Sequence, residues 1–148
     1  ADRQGTWRSG GGSDKDKLEK EIEQKKLSEK VKILGSQPNA VIQDFYSVAD
    51  IFINPTMAEG FPRVIIEAMA VGLPVVTTDA GGIKDIMPAI QQEYIVDKKD
   101  RDAFAVKMVE LVQLKNKTDL GRENRNHVIR FSTENVASMY KNTIFNHE

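Results

Sequence analysis

Short uninterrupted apolar runs alternate along this chain with longer segments in which apolar residues return every three or four positions. Val31, Ile33 and Leu34, ending at Gly35, form a strand pattern; Pro38-Asn39 then opens a helix whose apolar face is Val41, Ile42, Phe45, Val48 and Ala49. Ile51-Phe52-Ile53 is a continuous apolar triplet closed by Asn54-Pro55. Pro62 falls where a helix has its first turn, and the helical pattern of residues 61–71 stops at Gly72. Next come a strand over Pro74 to Thr77, a Gly81-Gly82 turn, a short helix from Ile83 to Met87 and a weak strand from Tyr94 to Val96. Asp100 to Leu114 carries Phe104, Met108, Val109, Leu111 and Val112 at helical spacing, and two amphipathic segments, Asp119 to Arg130 and Thr133 to Phe145, finish the chain. Strands apolar without alternation are buried on both faces, as in a parallel sheet covered by helices. The pattern therefore predicts an α/β, Rossmann-like doubly wound parallel sheet in three α/β/α layers, with right-handed crossovers.

The amino-terminal segment breaks this regularity. Residues 1–13 are polar and Gly-rich, a tail or a short strand ending in a glycine turn, and Ser13 is placed to cap a helix starting just after it. Of the nineteen residues from Asp14 to Lys32, six are acidic and seven basic, with Asp16/Lys20 and Glu21/Lys25 in the favourable i,i+4 order. That is a solvated helix with a thin apolar stripe of Leu18, Ile22 and Leu27. Residues 14–148 then read as a single domain, its last helices at about 119–146.

Composition narrows the function classes. The 148 residues include 21 Lys plus Arg against 22 Asp plus Glu, a net charge of -1, which gives no basic field for nucleic acid or an anionic membrane. The absence of Cys excludes disulfides, thiolate catalysis and Cys-ligated metals, and fits the cytoplasm. No window approaches the roughly 20 apolar residues of a membrane span, and no charged-then-apolar leader opens the chain.

In open α/β sheets ligands bind beyond the carboxyl ends of the strands, here the loops Gly35 to Asn39, Thr56 to Pro62 and Thr78 to Gly82. The middle loop is the most informative. Gly60 permits backbone shapes that a β-carbon forbids, and because Pro62 lacks an N–H the free donors at the helix start are those of Gly60, Phe61, Arg63 and Val64. Unpaired amides at the positive end of a helix dipole suit a phosphate or a sugar oxygen; the competing reading is that Thr56 or water caps them. On a helical wheel the only polar residues of 61–71 are Arg63 and Glu67, so the helix is expected to be buried nearly all round and the Glu67 carboxylate paired. Its partner is either Arg63 or a ligand diol, whose two hydroxyls match the two acceptors of a carboxylate. With Glu59 one loop away, two carboxylates would flank one pocket. In the third loop, Asp79-Ala80-Gly81-Gly82, a turn that lets backbone approach a ligand competes with an ordinary left-handed turn.

These residues carry a family signature. Ala49-Asp50-Ile51-Phe52-Ile53-Asn54-Pro55, Glu59-Gly60-Phe61-Pro62 with Ile66-Glu67-Ala68-Met69-Ala70, Gly72-Leu73-Pro74-Val75-Val76 and Thr78-Asp79-Ala80-Gly81-Gly82-Ile83, in this order and spacing, resemble the C-terminal domain of family 4 glycosyltransferases, half of a GT-B fold. The resemblance runs from about Gly11 to Arg130-Phe131-Ser132, similar to the family's link into its last helix. It implies a donor site for a UDP- or GDP-sugar and no cofactor. Glu59 would contact the donor sugar at the reacting centre as a positioning and charge-stabilising group. The Gly60 and Phe61 amides, with Arg63, would reach sugar hydroxyls, and Glu67 would bind the ribose 2' and 3' hydroxyls. Amides around Val64 would meet the diphosphate, Gly35 to Asn39 would line the base, and Asp79, Gly81 and Gly82 would lie nearby. The family retains anomeric configuration and moves a hexose to a glycan or glycolipid.

The departures are also informative. The strand and loop with Gly-Arg and a following Lys that clamp the diphosphate in the family are missing, as is the N-terminal acceptor-binding domain, so the chain reads as an incomplete half, inactive alone. Any attachment to the inner membrane face would then lie on the missing domain. No metal site is expected: Asp100-Arg101-Asp102 reads as a helix cap, and His127 and His147 as surface residues. Competing classes are a degenerate non-catalytic module and a GT-B sugar-nucleotide epimerase.

Overall fold

The structure, a computed structural model, describes residues 6–9, 14–136 and 138. It divides into two compact units, Ala1–Phe45 and Tyr46–Glu148.

In the first unit β1 (Thr6–Ser9) pairs in parallel with β2 (Val31–Gly35), Thr6 opposite Val31 and Ser9 opposite Gly35, across α1 (Lys15–Gln24). Residues 6–9 thus form the short strand rather than a tail; Ser13 lies outside the described residues, and α1 starts from Asp14 with no side-chain cap. Ile22 is buried and Leu18 and Leu27 half-buried, the thin stripe that the spacing implied, while ion pairs Lys15–Glu19 at 3.6 Å and Glu21–Lys25 at 3.5 Å line the solvent side. Gly35, at φ +66°, ends β2, and α2 (Asn39–Val48) begins four residues later. Val48, expected on its apolar face, is 60% exposed.

In the second unit β3 (Phe52–Asn54), β4 (Val75–Thr78) and β5 (Ile95–Val96) form a parallel sheet with β4 central. All four residues of β4 are buried, and its side chains alternate between two cores. Val75 packs with Ile65 and Met69 of α3 (Arg63–Ala70) and with Ile83 and Ile86 of α4 (Ile83–Ile86), while Val76 packs with Leu111 of α5 (Arg101–Gln113) and Leu120 of α6 (Lys117–Val128). Cross-strand partners obey the same alternation: Phe52, opposite Val75, joins the first core, and Ile53, opposite Val76, the second. This is why the strands read as unbroken apolar runs.

Helix α5 is capped as expected, the Asp100 carboxylate accepting from the Ala103 amide at 2.8 Å. Its buried stripe is narrower than the apolar pattern, since Val109 and Val112 are exposed. Helix α6 meets the entry to β4 closely. A Cβ on Gly121 would lie 2.2 Å from the Gly72 carbonyl oxygen, and Asn124, fully buried, donates to the Leu73 carbonyl at 2.7 Å and to Gln91 Oε1 at 3.3 Å. Gln91 Oε1 also accepts from the Val75 amide at 2.9 Å, so two buried amides tie α6 to the first residue of the central strand. Most of the predicted segment from Thr133 to Phe145, and His147, lie outside the described residues.

Candidate functional site

The loop that leaves β3 is held by the segment that leaves β4. Thr77 Oγ1 donates to the Asn54 carbonyl at 3.0 Å, and Thr78 Oγ1 donates to the carbonyl of Thr56. Beyond Thr78, Gly81 adopts φ +56° with its α-carbon against the Glu59 backbone: a Cβ there would stand 1.8 Å from the Glu59 carbonyl oxygen. Both open readings of the paired glycines are thus modified. Gly81 is a left-handed turn residue, and what approaches it is the Glu59 loop. Gly82, which precedes α4, would place a Cβ 3.9 Å from the Gly60 carbonyl. Asp79 is fixed by its amide donating to the Val96 carbonyl at 2.7 Å and by Lys84, whose ammonium pairs with the carboxylate. Gly60 needs no special backbone: its φ is not positive and a Cβ there would meet nothing within 4 Å, so the steric demand placed on it in the sequence belongs to Gly81.

Helix α3 opens without a side-chain cap. Thr56 Oγ1 donates to the Ala58 carbonyl at 2.9 Å and accepts from none of the helix-start amides, so it is not the cap that competed with a ligand. Pro62, at φ −81° and ψ 70°, precedes the helix instead of occupying its first turn, and around it the Arg63 amide donates to the Phe61 carbonyl at 2.9 Å. These are the dihedrals and the bond of an inverse γ-turn. The Arg63 amide is therefore not free, a correction to the donor set; those of Gly60, Phe61 and Val64 meet no acceptor among the described residues. Three amides are left at the positive end of a helix whose dipole favours negative charge.

Burial corrects a second expectation. Helix α3 buries Ile65, Ala68 and Met69 but leaves Arg63, Val64 and Glu67 out of the core on one face, with Val64 at 42% exposure. Apolar residues all round did not mean burial all round, because Val64 and Ala70 lie on the outer side. Glu67 therefore needs no buried partner, and no Arg63–Glu67 ion pair forms within 4.0 Å among the described residues. Its charge is felt by Tyr46, whose phenol is held above the usual value by burial first and by Glu67 second. Glu59 lies on the neighbouring loop. Glu59 is half-buried on that loop and Glu67 exposed on the helix, while a groove of the second unit lies elsewhere, lined by Asp50, Pro74, Lys115 and Lys117 at the amino ends of β3 and β4.

Gly35 and Asn39 belong to the other unit, at either end of a loop that Gln37 Nε2 folds back on the Leu34 carbonyl. Sequence reasoning missed several contributors: the hydroxyls of Thr77 and Thr78, the buried Nδ2 of Asn54, which has no acceptor, and the aromatic neighbours Tyr46 and Phe131. For the threonines the signal was two hydroxyls at the carboxyl end of an otherwise apolar strand. His127, expected on the surface, is half-buried, and burial first and the Arg130 cation second lower its pKa from the ordinary 6.5. No group of three or more His, Asp or Glu side chains suited to a metal assembles among the described residues.

A parallel α/β sheet covered by helices, with uncapped amides beyond its carboxyl edge, is of the Rossmann-like class, in which ligands bind beyond the carboxyl ends of the strands. The chain belongs to the family described as Glycosyl transferases group 1, whose model matches residues 9–142. It is similar to WcaL of Escherichia coli, named for a colanic acid biosynthesis glycosyltransferase, at 33% identity over 99 residues, 63% of this chain and 24% of that one. Among solved structures it resembles sucrose-phosphate synthase from Thermosynechococcus elongatus, with TM-score 0.76 and 22% identity over 95% of this chain and 37% of that one. It also resembles TarM, with TM-score 0.75 and 26% identity over 93% and 28%; a variant of S. aureus TarM has been solved with fondaparinux, alpha-GlcNAc-glycerol and UDP. These neighbours are glycosyltransferases of the GT-B fold. The chain spans 18, 25 and 24% of the first three curated relatives. No helix among the described residues is long and apolar enough to cross a membrane.

Proposed function

We propose that residues 14–148 act as the donor-binding domain of a retaining, family 4 glycosyltransferase that moves a hexose from a UDP- or GDP-sugar to a glycan or glycolipid acceptor. The observation that carries this reading is the start of α3: three amides without acceptors, one open face bearing Arg63, Val64 and Glu67, and Glu59 on the adjoining loop. In this reading the Gly60 and Phe61 amides hold sugar hydroxyls, and the Val64 amide with the helix dipole meets the diphosphate. As the bond from the anomeric carbon to the diphosphate breaks, negative charge grows on the leaving group, and preorganised amides stabilise it without reorganising. Glu59 positions the sugar and stabilises positive charge at its anomeric carbon. Glu67 takes the ribose diol, and Asp79, Gly81 and Gly82 keep the Glu59 loop in place.

In this proposal the acceptor site comes from an N-terminal domain and the basic clamp on the diphosphate from a leading strand and loop of the donor domain, consistent with the small share of each relative that the chain spans. The chain alone would bind donor weakly and turn nothing over, the intact protein would work in the cytoplasm, and any membrane attachment would lie on the other domain. The diol assignment is tested by calorimetry with UDP and 2',3'-dideoxy-UDP, and with the GDP pair. The wild type should prefer the ribose form by about 10-fold, the worth of two hydrogen bonds to a charged acceptor partly exposed to water, and Glu67→Ala should lose that preference. Equal affinities in the wild type would remove Glu67 from the ribose.

A further inference from the structure

The segment after α6 reaches back to the donor loop. Phe61 is 58% exposed, and its ring meets that of Phe131 edge-on, with centroids 6.3 Å apart and planes at 76°. Phe131 is itself held. The Arg130 guanidinium lies 4.7 Å from its ring centroid, His127 packs at 6.4 Å, and the ring rests against the core formed by Ile65, Ile83 and Val128. Arg130 is tied to α4, its Nη2 donating to the Asp85 carbonyl at 2.8 Å. Helix α4 comes directly after Gly81 and Gly82, which abut the carbonyls of Glu59 and Gly60. The contacts form a closed circuit in which the short stretch from Glu59 to Phe61 is gripped at one end by Gly81 and at the other by Phe131.

We infer that Phe131 is a positioning residue for donor binding: its ring holds Phe61 and thereby fixes the direction of the free Gly60 and Phe61 amides. A Phe61 left unsupported has few neighbours to hold it, since more than half of its surface is open. The inverse γ-turn at Pro62 constrains the helix side of the loop and leaves the orientation of the two preceding peptides to the Phe61 anchor. Edge-to-face aromatic pairs carry enough energy to change an affinity by about 3- to 10-fold. The proposal rests on the donor-site reading for its ligand, but the state of the loop can be read without one.

The test uses Phe131→Leu, which keeps an apolar side chain against the core, Phe131→Tyr, which restores the ring, Phe61→Leu, and the double leucine variant. Two quantities are measured on the same samples: 15N order parameters of Gly60 and Phe61 in the free protein, and affinities for UDP-glucose and GDP-mannose. Phe131→Leu should drop both order parameters from the rigid range near ~0.85 towards the flexible range below ~0.6. It should weaken binding of the preferred nucleotide sugar about 3- to 10-fold, and Phe131→Tyr should reverse both changes. On a Phe61→Leu background the Phe131 change should add nothing. Unaltered order parameters in Phe131→Leu, or effects that simply add in the double variant, would overturn the proposal. If the wild type binds neither nucleotide sugar, the donor reading fails, and the order parameters alone still decide whether Phe131 holds the loop.

Discussion

Replacing Gly81 by alanine separates the two glycines that look alike in the sequence. At φ +56° an alanine sits in the left-handed region, a cost of about 1–2 kcal/mol. Its β-carbon would also lie 1.8 Å from the Glu59 carbonyl oxygen, where the closest real contacts are 3.0 Å, so the two backbones must part by about 1.2 Å. Gly81 is anchored between a fully buried strand and α4, whereas residues 55–61 have no regular structure, so the Glu59 loop is the part that moves. Because the loop is held by side-chain and ring contacts and not by a strand ladder or a helix, it can shift locally, and the stability loss should stay at about 1–3 kcal/mol, read from denaturant unfolding midpoints. The functional loss should be larger, since a misplacement of about 1 Å at a reacting centre costs about 100-fold in rate. On the donor-site proposal, the assay is transfer from a nucleotide sugar by the two-domain enzyme that the proposal describes. Gly60→Ala is the control: its β-carbon meets nothing within 4 Å, so unfolding should change by less than about 0.5 kcal/mol. A Gly81→Ala protein with wild-type stability and turnover would refute the idea that Gly81 exists to admit the Glu59 carbonyl.

Other elements give independent expectations. In the intact enzyme, Glu59→Gln should lower turnover about 100-fold with little change in donor affinity, while Glu67→Ala should chiefly raise the donor KM; the reverse pattern in steady-state kinetics would exchange their roles. Asn124→Ala removes the donor shared by the Leu73 carbonyl and Gln91 Oε1 in a dry environment and should cost about 2–3 kcal/mol in unfolding experiments. Asp100→Ala, which deletes the α5 cap, should cost about 1 kcal/mol without affecting nucleotide binding. The lowered pKa of His127 means that the unfolded chain takes up its proton first as pH falls. Its contribution is therefore complete above 6.5 and is lost as pH falls from there towards the folded value. Unfolding midpoints between about pH 5 and 7.5 should decline less steeply on the acid side in His127→Gln than in the wild type.

The sheet was legible because β4 and its neighbours are covered on both sides, which writes burial into the sequence as unbroken apolar runs at 51–53 and 75–76. The site loops were legible from the same rule, since they lie where those runs end. What the sequence could not show is which face of a mostly apolar helix turns outward. Helix α3 carries Val64 and Ala70 on its open side, so Glu67 reads as buried on a wheel yet lies outside the core. Val48, Val109 and Val112 misled in the same way: periodicity marks candidate contacts, and only tertiary packing selects among them. Long-range backbone approaches are equally silent. Nothing local distinguishes Gly81, which faces the Glu59 carbonyl, from Gly60, which faces open space. The Phe61–Phe131 contact spans 70 residues of chain and leaves no spacing to read.

Whether the loop from Glu59 to Phe61 and the outer face of α3 hold a nucleotide sugar is read most directly by a 1H–15N titration of the 148-residue chain. The titrants are UDP-glucose, GDP-mannose and ADP-glucose. Shifts should concentrate at Gly60, Phe61, Val64 and Glu67 with at least one of them. Binding confined to the groove near Lys115 and Lys117, or no change at Gly60 and Glu67 with any of the three, would contradict the donor-site assignment.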